Sequence, residues 1–172
     1  MFKPWFVNPD IEVRGFFKEY RFLSNMFVLN IPVEWKHIPY HSTEAAYQAL
    51  KFRRDETKRL ISGMSPQESK KFSAPLKHMS SPETKEFLLE HPVDMDFMKN
   101  RLRCMQLLNQ KKFDNNPDLK ELLLSTGSKT LIEVNWWHDS YWGTSMNGFG
   151  NNNLGICLMN VRASYSESLW SN

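Results

Sequence analysis

Cysteine is scarce: Cys104 and Cys157 are the only two in 172 residues, far apart and outside any Cys-x-x-Cys pattern. That spacing offers neither a disulfide framework nor a thiolate zinc site, and both residues are expected as buried thiols. No apolar run approaches the roughly 20 residues a membrane span requires. The opening MFKPWFVNPD lacks a basic stretch followed by an apolar one, so no secretory leader is expected and the chain reads as soluble and cytoplasmic. Charge of one sign is missing as a block: 22 basic residues stand against 19 acidic ones, and the formal +3 is scattered along the chain. Basicity alone therefore argues only weakly for a nucleic-acid partner. Internal repeats and low-complexity tracts are absent. His37 and His41 stand four apart, a ligand spacing on a helix, but Pro39 lies between them in a segment that reads as extended, so no metal is expected.

What the chain does have is 41% hydrophobic and 13% aromatic residues, enough to bury one core in a single domain. From Val13 to Tyr40 aromatic and β-branched residues prevail, IPVEW alternates, and Pro32 and Pro39 point to short or edge strands. The pattern then turns helical. Ser65, Pro66 and Glu68 combine an N-cap, a proline at the first helical position and a glutamate at the third, a strong helix start. Ser81-Pro82 ahead of ETKEFLLE and Asn116-Pro117 ahead of DLKELLLSTG repeat the first half of that signal, with Gly127 to close the second helix. Met98, Leu102, Met105 and Leu108 recur three or four apart and predict the longest amphipathic helix between Asp94 and Phe113, with the methionines as core filler. KTLIEV, from Lys129, is the best single strand, and LGICLMNVRASY, from Leu154, reads as a final helix.

Two segments carry candidate chemistry. YHSTEAAYQALKF, Tyr40 to Phe52, reads as a short helix capped by Ser42, with Glu44 suited to the positive end of its dipole. Its spacing gathers Glu44, Tyr47, Gln48 and Lys51 on one side, against Ala45, Ala46, Ala49 and Leu50 on the other. A carboxylate and an amine so placed are either an acid/base pair or solvent-facing salt-bridge partners over a buried alanine face. The second segment is the long loop NWWHDSYWGTSMNGFGNNN between strand and final helix. Trp136 or Trp137 is expected to plug the loop onto the core, while Asp139 and Trp142 pair a carboxylate with an indole able to stack on a planar heterocycle. GFGNNNLG sets Gly148, Gly150 and three asparagines before a helix start, either a phosphate cradle or an ordinary cap.

Taken together, FLSN at Phe22 to Asn25, YHSTEAAYQALKF, DSYWG and GNNNLGICLMNVR resemble the NADAR family, which includes the YbiA-like N-glycosidases, in order and separation, from about Gly15 to Arg162. The resemblance implies hydrolysis of N-glycosidic bonds, in phosphorylated ribosylamino-pyrimidine intermediates of riboflavin synthesis or in ADP-ribosylated guanine. It matches Glu44 and Lys51 to the family's helix acid and lysine, Asp139 and Trp142 to its loop, and Asn152 with Gly155 to its final turn. The chain departs from the family where Asn151 replaces a lysine, and where KKFSAPLKHMSS and VDMDFM replace stretches that usually carry arginine. Lys70, Lys71 or Lys77 could stand in for that arginine.

The expected fold is α+β: a mostly helical single domain of the YbiA type over residues 13–172 with a small antiparallel sheet, after an N-terminal extension over residues 1–12. The expected catalytic residues are Glu44, Lys51 and Asp139, with Lys51 as a Schiff-base nucleophile and Glu44 moving protons. Asn25, Tyr47, Gln48, Trp142, Gly150 and Asn152 are the expected substrate-binding residues, with no cofactor and no membrane. The expected partner is a phosphorylated nucleoside-like small molecule or an ADP-ribosylated nucleic acid. The competing reading is a non-catalytic ADP-ribose or NAD-binding module.

Overall fold

The computed structural model describes residues 8–168; residues 1–7 of the expected N-terminal extension and the last four residues lie outside the described residues. The strands are β1 (Glu12–Arg14), β2 (Val33–Trp35), β3 (Ile38–Tyr40) and β4 (Thr130–Ile132). The α-helices are α1 (Thr43–Ala49), α2 (Asp55–Ser62), α3 (Pro66–Phe72), α4 (Lys85–Glu90), α5 (Met95–Asn115), α6 (Pro117–Ser125) and α7 (Asn153–Ser168). The chain is mostly helical, as expected, and divides into two compact units. One holds the segments up to Ser24 and from Pro117 onward, and the other runs from Asn25 to Asn116.

In the Asn25–Asn116 unit, β2 and β3 form the small antiparallel sheet, with Val33 opposite Tyr40 and Trp35 opposite Ile38. Lys36 and His37 both take positive φ, 49° and 65°, as a two-residue hairpin turn needs if it is to follow the right-handed twist of its strands. His37 is thus spent on a turn, and the chain around Pro39 is extended as read. The hairpin leads into α1, which Ser42 caps by accepting from the Ala45 N–H at 3.0 Å. α1 packs on α2, α3 and α5, and every residue from Ser42 to Leu50 is buried. The alanines let neighbouring helices approach α1 closely, and α5 covers part of the polar side, where Tyr47 meets Phe97. The solvent-facing reading of that side is therefore excluded.

α3 begins with the expected capping box, Ser65 accepting from Glu68 N–H while Glu68 accepts from Ser65 N–H. Ser81 makes no such cap; Pro82–Thr84 form a 3₁₀ turn ahead of α4. The buried residues of α5 are Phe97, Met105, Leu108, Asn109, Lys112 and Phe113, whereas Leu102 is exposed. The expected stripe is right at Met105 and Leu108, but the buried face also takes in Phe97, Asn109, Lys112 and Phe113 and leaves out Leu102. Around Lys51 the chain is anchored by Phe52, fully buried, whose ring meets Phe72, Phe87 and His91 at 5.6, 6.0 and 6.2 Å.

In the other unit β1 and β4 pair in parallel, Glu12 opposite Thr130 and Arg14 opposite Ile132, a pairing no local signal announces. α7 packs on β4. Gly127, at φ 58°, closes α6 as expected. Among the described residues no helix is long and apolar enough to cross a membrane.

Candidate active site

α1 presents a polar ladder on its enclosed side. Glu44 and Gln48 lie one turn apart, and the Gln48 amide donates from Nε2 to Glu44 Oε1 at 2.6 Å. Lys51 Nζ donates in turn to Gln48 Oε1 at 2.6 Å and sits 5.0 Å from the centre of the Tyr47 ring. Tyr47 is itself held edge-on by Phe97 at 5.4 Å. Glu44 is 9% and Gln48 4% exposed, so these contacts are largely shielded from water. Lys51 is not on the helix as expected: α1 ends at Ala49, and tighter turns follow, with Lys51 N–H bonded to Gln48 O and Phe52 N–H to Ala49 O. The Lys51 carbonyl accepts from Asp94 N–H at 2.8 Å, fixing the main chain from which the amine extends.

Asn25 borders this ladder through its main chain, its carbonyl accepting from Glu44 N–H at 2.9 Å. Its side chain donates to Met105 Sδ at 3.3 Å, leaving Oδ1 buried with no hydrogen-bond partner among the described residues. Sequence reasoning missed Lys112, wholly buried in α5, with its amine 5.2 Å from the Phe113 ring and 6.0 Å from the Phe27 ring. Burial pulls its pKa down to about 7. A lysine four residues after Leu108, in the helix's apolar register, is the signal that marks it.

The loop before α7 is organised by its own polar groups. Asp139 Oδ1 accepts from the N–H groups of Tyr141 and Trp142 at 3.2 and 3.0 Å, and Asn135 clamps the Asp139 main chain at both N–H and C=O. Trp142 is half-buried, its ring edge-on to Tyr141 at 4.9 Å. Trp136 and Trp137 do not plug the loop onto the core; they are 65% and 47% exposed. Trp136 instead stacks on Phe17 at 5.9 Å, with Trp137 edge-on to Trp136.

The asparagine turn is equally self-contained. The N–H groups of Asn151, Asn152 and Leu154 bond to the carbonyls of Ser140, Gly143 and Trp142, so these amides bind the loop itself. Asn152, at φ 51°, uses both ends of its side chain, accepting from Glu133 N–H at 2.9 Å and donating to Leu131 O at 2.9 Å. It sews β4 to the start of α7. Gly150, at φ 141°, lies so close to the Gly143 carbonyl that a Cβ would fall 2.2 Å from its oxygen. Gly155 is tighter still: a Cβ there would sit 2.1 Å from Leu131 O. Gly155→Ala is expected to cost about 1–3 kcal/mol by forcing α7 off β4. A thermal unfolding midpoint within a degree of the parent protein would show that this close approach is not needed.

Among the described residues no group of three or more histidine, cysteine or acidic side chains could hold a metal ion. The chemistry on offer is that of a buried carboxylate and amide beside a half-buried amine.

The sequence matches the NADAR domain model over residues 8–165, and the chain belongs to the NADAR family. Among individual relatives, the N-glycosidase YbiA of Shigella boydii is 31% identical over 84% of this chain and 81% of its own length. An N-glycosidase of Nostoc punctiforme is 42% identical over 40% of this chain and 42% of its own. The chloroplastic riboflavin biosynthesis protein PYRR of Arabidopsis thaliana is 38% identical over 42% of this chain, a match spanning only 11% of that longer protein. The NMR structure of the Escherichia coli protein YbiA superposes with a TM-score of 0.74 at 22% identity, covering 99% of this chain and 94% of that one, and so shares the fold.

Proposed function

We propose that this protein is an N-glycosidase hydrolysing the bond between ribose C1′ and the nitrogen of a base, in ADP-ribosyl-guanine or in a phosphorylated ribosylamino-pyrimidine of riboflavin synthesis. The observation that carries the proposal is the enclosed Glu44–Gln48–Lys51 ladder. Relatives named N-glycosidase and riboflavin biosynthesis protein support it. In the proposed reaction the C1′–O4′ bond opens as O4′ takes up the proton given up by the C1′-bound nitrogen, the deprotonated form of the Lys51 amine adds to the resulting C1′=N bond, Glu44 delivers a proton to the departing nitrogen, and the base leaves. The remaining C1′–Lys51 iminium takes up water, deprotonated by Glu44, and collapses to free lysine and the sugar aldehyde. The buried Asn25 Oδ1 is assigned to a ribose hydroxyl, since a hydroxyl donor would satisfy it. Asp139 and Asn152 are assigned to shaping their loop, because their side chains are engaged with its backbone. We place the activity in the cytoplasm, in keeping with two free thiols.

Incubation with an oligonucleotide carrying ADP-ribosylated guanine, with the ribosylamino-pyrimidine phosphate and with NAD, followed by mass analysis of free base, tests this. Release of base from one of the first two is expected. Tight binding of all three without turnover would sink the proposal and favour a non-catalytic ADP-ribose or NAD-binding module.

A further inference from the structure

We infer that Gln48 is a positioning residue for this chemistry: its single amide, accepting from Lys51 and donating to Glu44, sets the separation of the amine and the carboxylate and the direction each faces. The inference rests on the proposed glycosidase reading and assigns Gln48 a role other than contact with substrate. The two bonds, both 2.6 Å, use the two chemically different ends of one planar group. A carboxylate can only accept, and an amine or ammonium meeting a carbonyl oxygen donates, so one orientation of the amide satisfies both partners. A half-turn would set its carbonyl against Glu44 and its NH₂ against Lys51. At 4% exposure, water does not readily substitute for either partner.

Helix geometry alone does not supply this alignment. Glu44 and Gln48 are locked four apart on α1, but Lys51 follows the helix end, and its long side chain has rotamers to choose among. The Tyr47 ring flanks the amine from one side, and the Gln48 carbonyl fixes one N–H direction. In the deprotonated amine this turns the lone pair away from Gln48. At the other end, the Gln48 NH₂ occupies Glu44 Oε1, so Oε2 is the oxygen left to deliver a proton to the leaving nitrogen.

Gln48→Met keeps length and volume and deletes both hydrogen bonds. With misplacement of reacting groups as the only defect, kcat is expected to fall about 10²-fold at unchanged KM. Independently of substrate, the side-chain amide protons of Gln48 in a ¹⁵N-correlated NMR spectrum should shift upfield in Glu44→Gln and change again in Lys51→Met. Turnover by folded Gln48→Met at the parent rate overturns the inference, as does a Gln48 amide resonance unmoved by both other substitutions. A rise in KM at unchanged kcat also overturns it, by making Gln48 a substrate contact. A parent protein that releases no base from any substrate overturns the glycosidase proposal instead, and the amide resonances still decide whether Gln48 couples the two groups.

Discussion

Lys51→Met is expected to lower kcat by at least about 10³-fold while leaving the protein folded, with an unfolding midpoint about 2–10 °C below the parent. The activity loss follows from chemistry. Methionine retains much of the lysine stem but has no nitrogen to add to C1′, so the covalent route is closed and only binding and the Glu44 carboxylate remain. The survival of the fold follows from position. Lys51 lies beyond the last residue of α1, its side chain is only partly buried, and its main chain stays tied to Asp94 and Gln48 through backbone groups the substitution does not touch. Deleting the amine does leave Gln48 Oε1 without that donor, a cost of about 1–3 kcal/mol if the oxygen finds no substitute. A methionine variant that is folded and retains a tenth or more of the parent kcat would reduce Lys51 to an electrostatic role.

Phe52→Ala is expected to be the most damaging substitution for stability, costing about 3–5 kcal/mol. Its ring is fully buried where Phe72, Phe87 and His91 meet, so alanine leaves a cavity the size of a phenyl ring. For a chain of this size that corresponds to a midpoint about 10 °C or more lower, read by circular dichroism or calorimetry. Phe52 is also the residue after Lys51, and its N–H closes the turn onto Ala49 O. The surviving folded fraction should therefore lose activity as well, through a displaced amine. A midpoint within about 2 °C of the parent would mean that this aromatic cluster is not a core.

Local chemistry made part of this legible beforehand. Ser42, Ser65 with Glu68, and Gly127 mark helix ends through contacts made within three or four residues, and those signals hold in the structure. The Glu44, Gln48 and Lys51 side chains converge as their spacing suggests, although Lys51 reaches Gln48 from a turn rather than from the helix. Other features depend on what packs from afar. The burial of both sides of α1 comes from α2, α3 and α5, and the parallel pairing of β1 with β4 joins segments over a hundred residues apart. The start of α2 has no side-chain cap to announce it: Arg54 occupies the N-cap position. The asparagine turn leaves two readings open in the sequence for a related reason. Asn-Gly-rich sequence before a helix shows that N–H groups are turned inward, but whether they meet a phosphate or the protein's own carbonyls depends on loop closure. Here Ser140, Gly143 and Trp142 supply the carbonyls.

Attack of Lys51 on C1′ is open to borohydride trapping during turnover. The protein is mixed with the ADP-ribosylated oligonucleotide or the ribosylamino-pyrimidine phosphate, reduced while base is being released, digested and mapped by mass spectrometry. A sugar-derived secondary amine on Lys51, absent from Lys51→Met and from samples without substrate, is expected. Release of base by the parent protein with Lys51 recovered unmodified would contradict it.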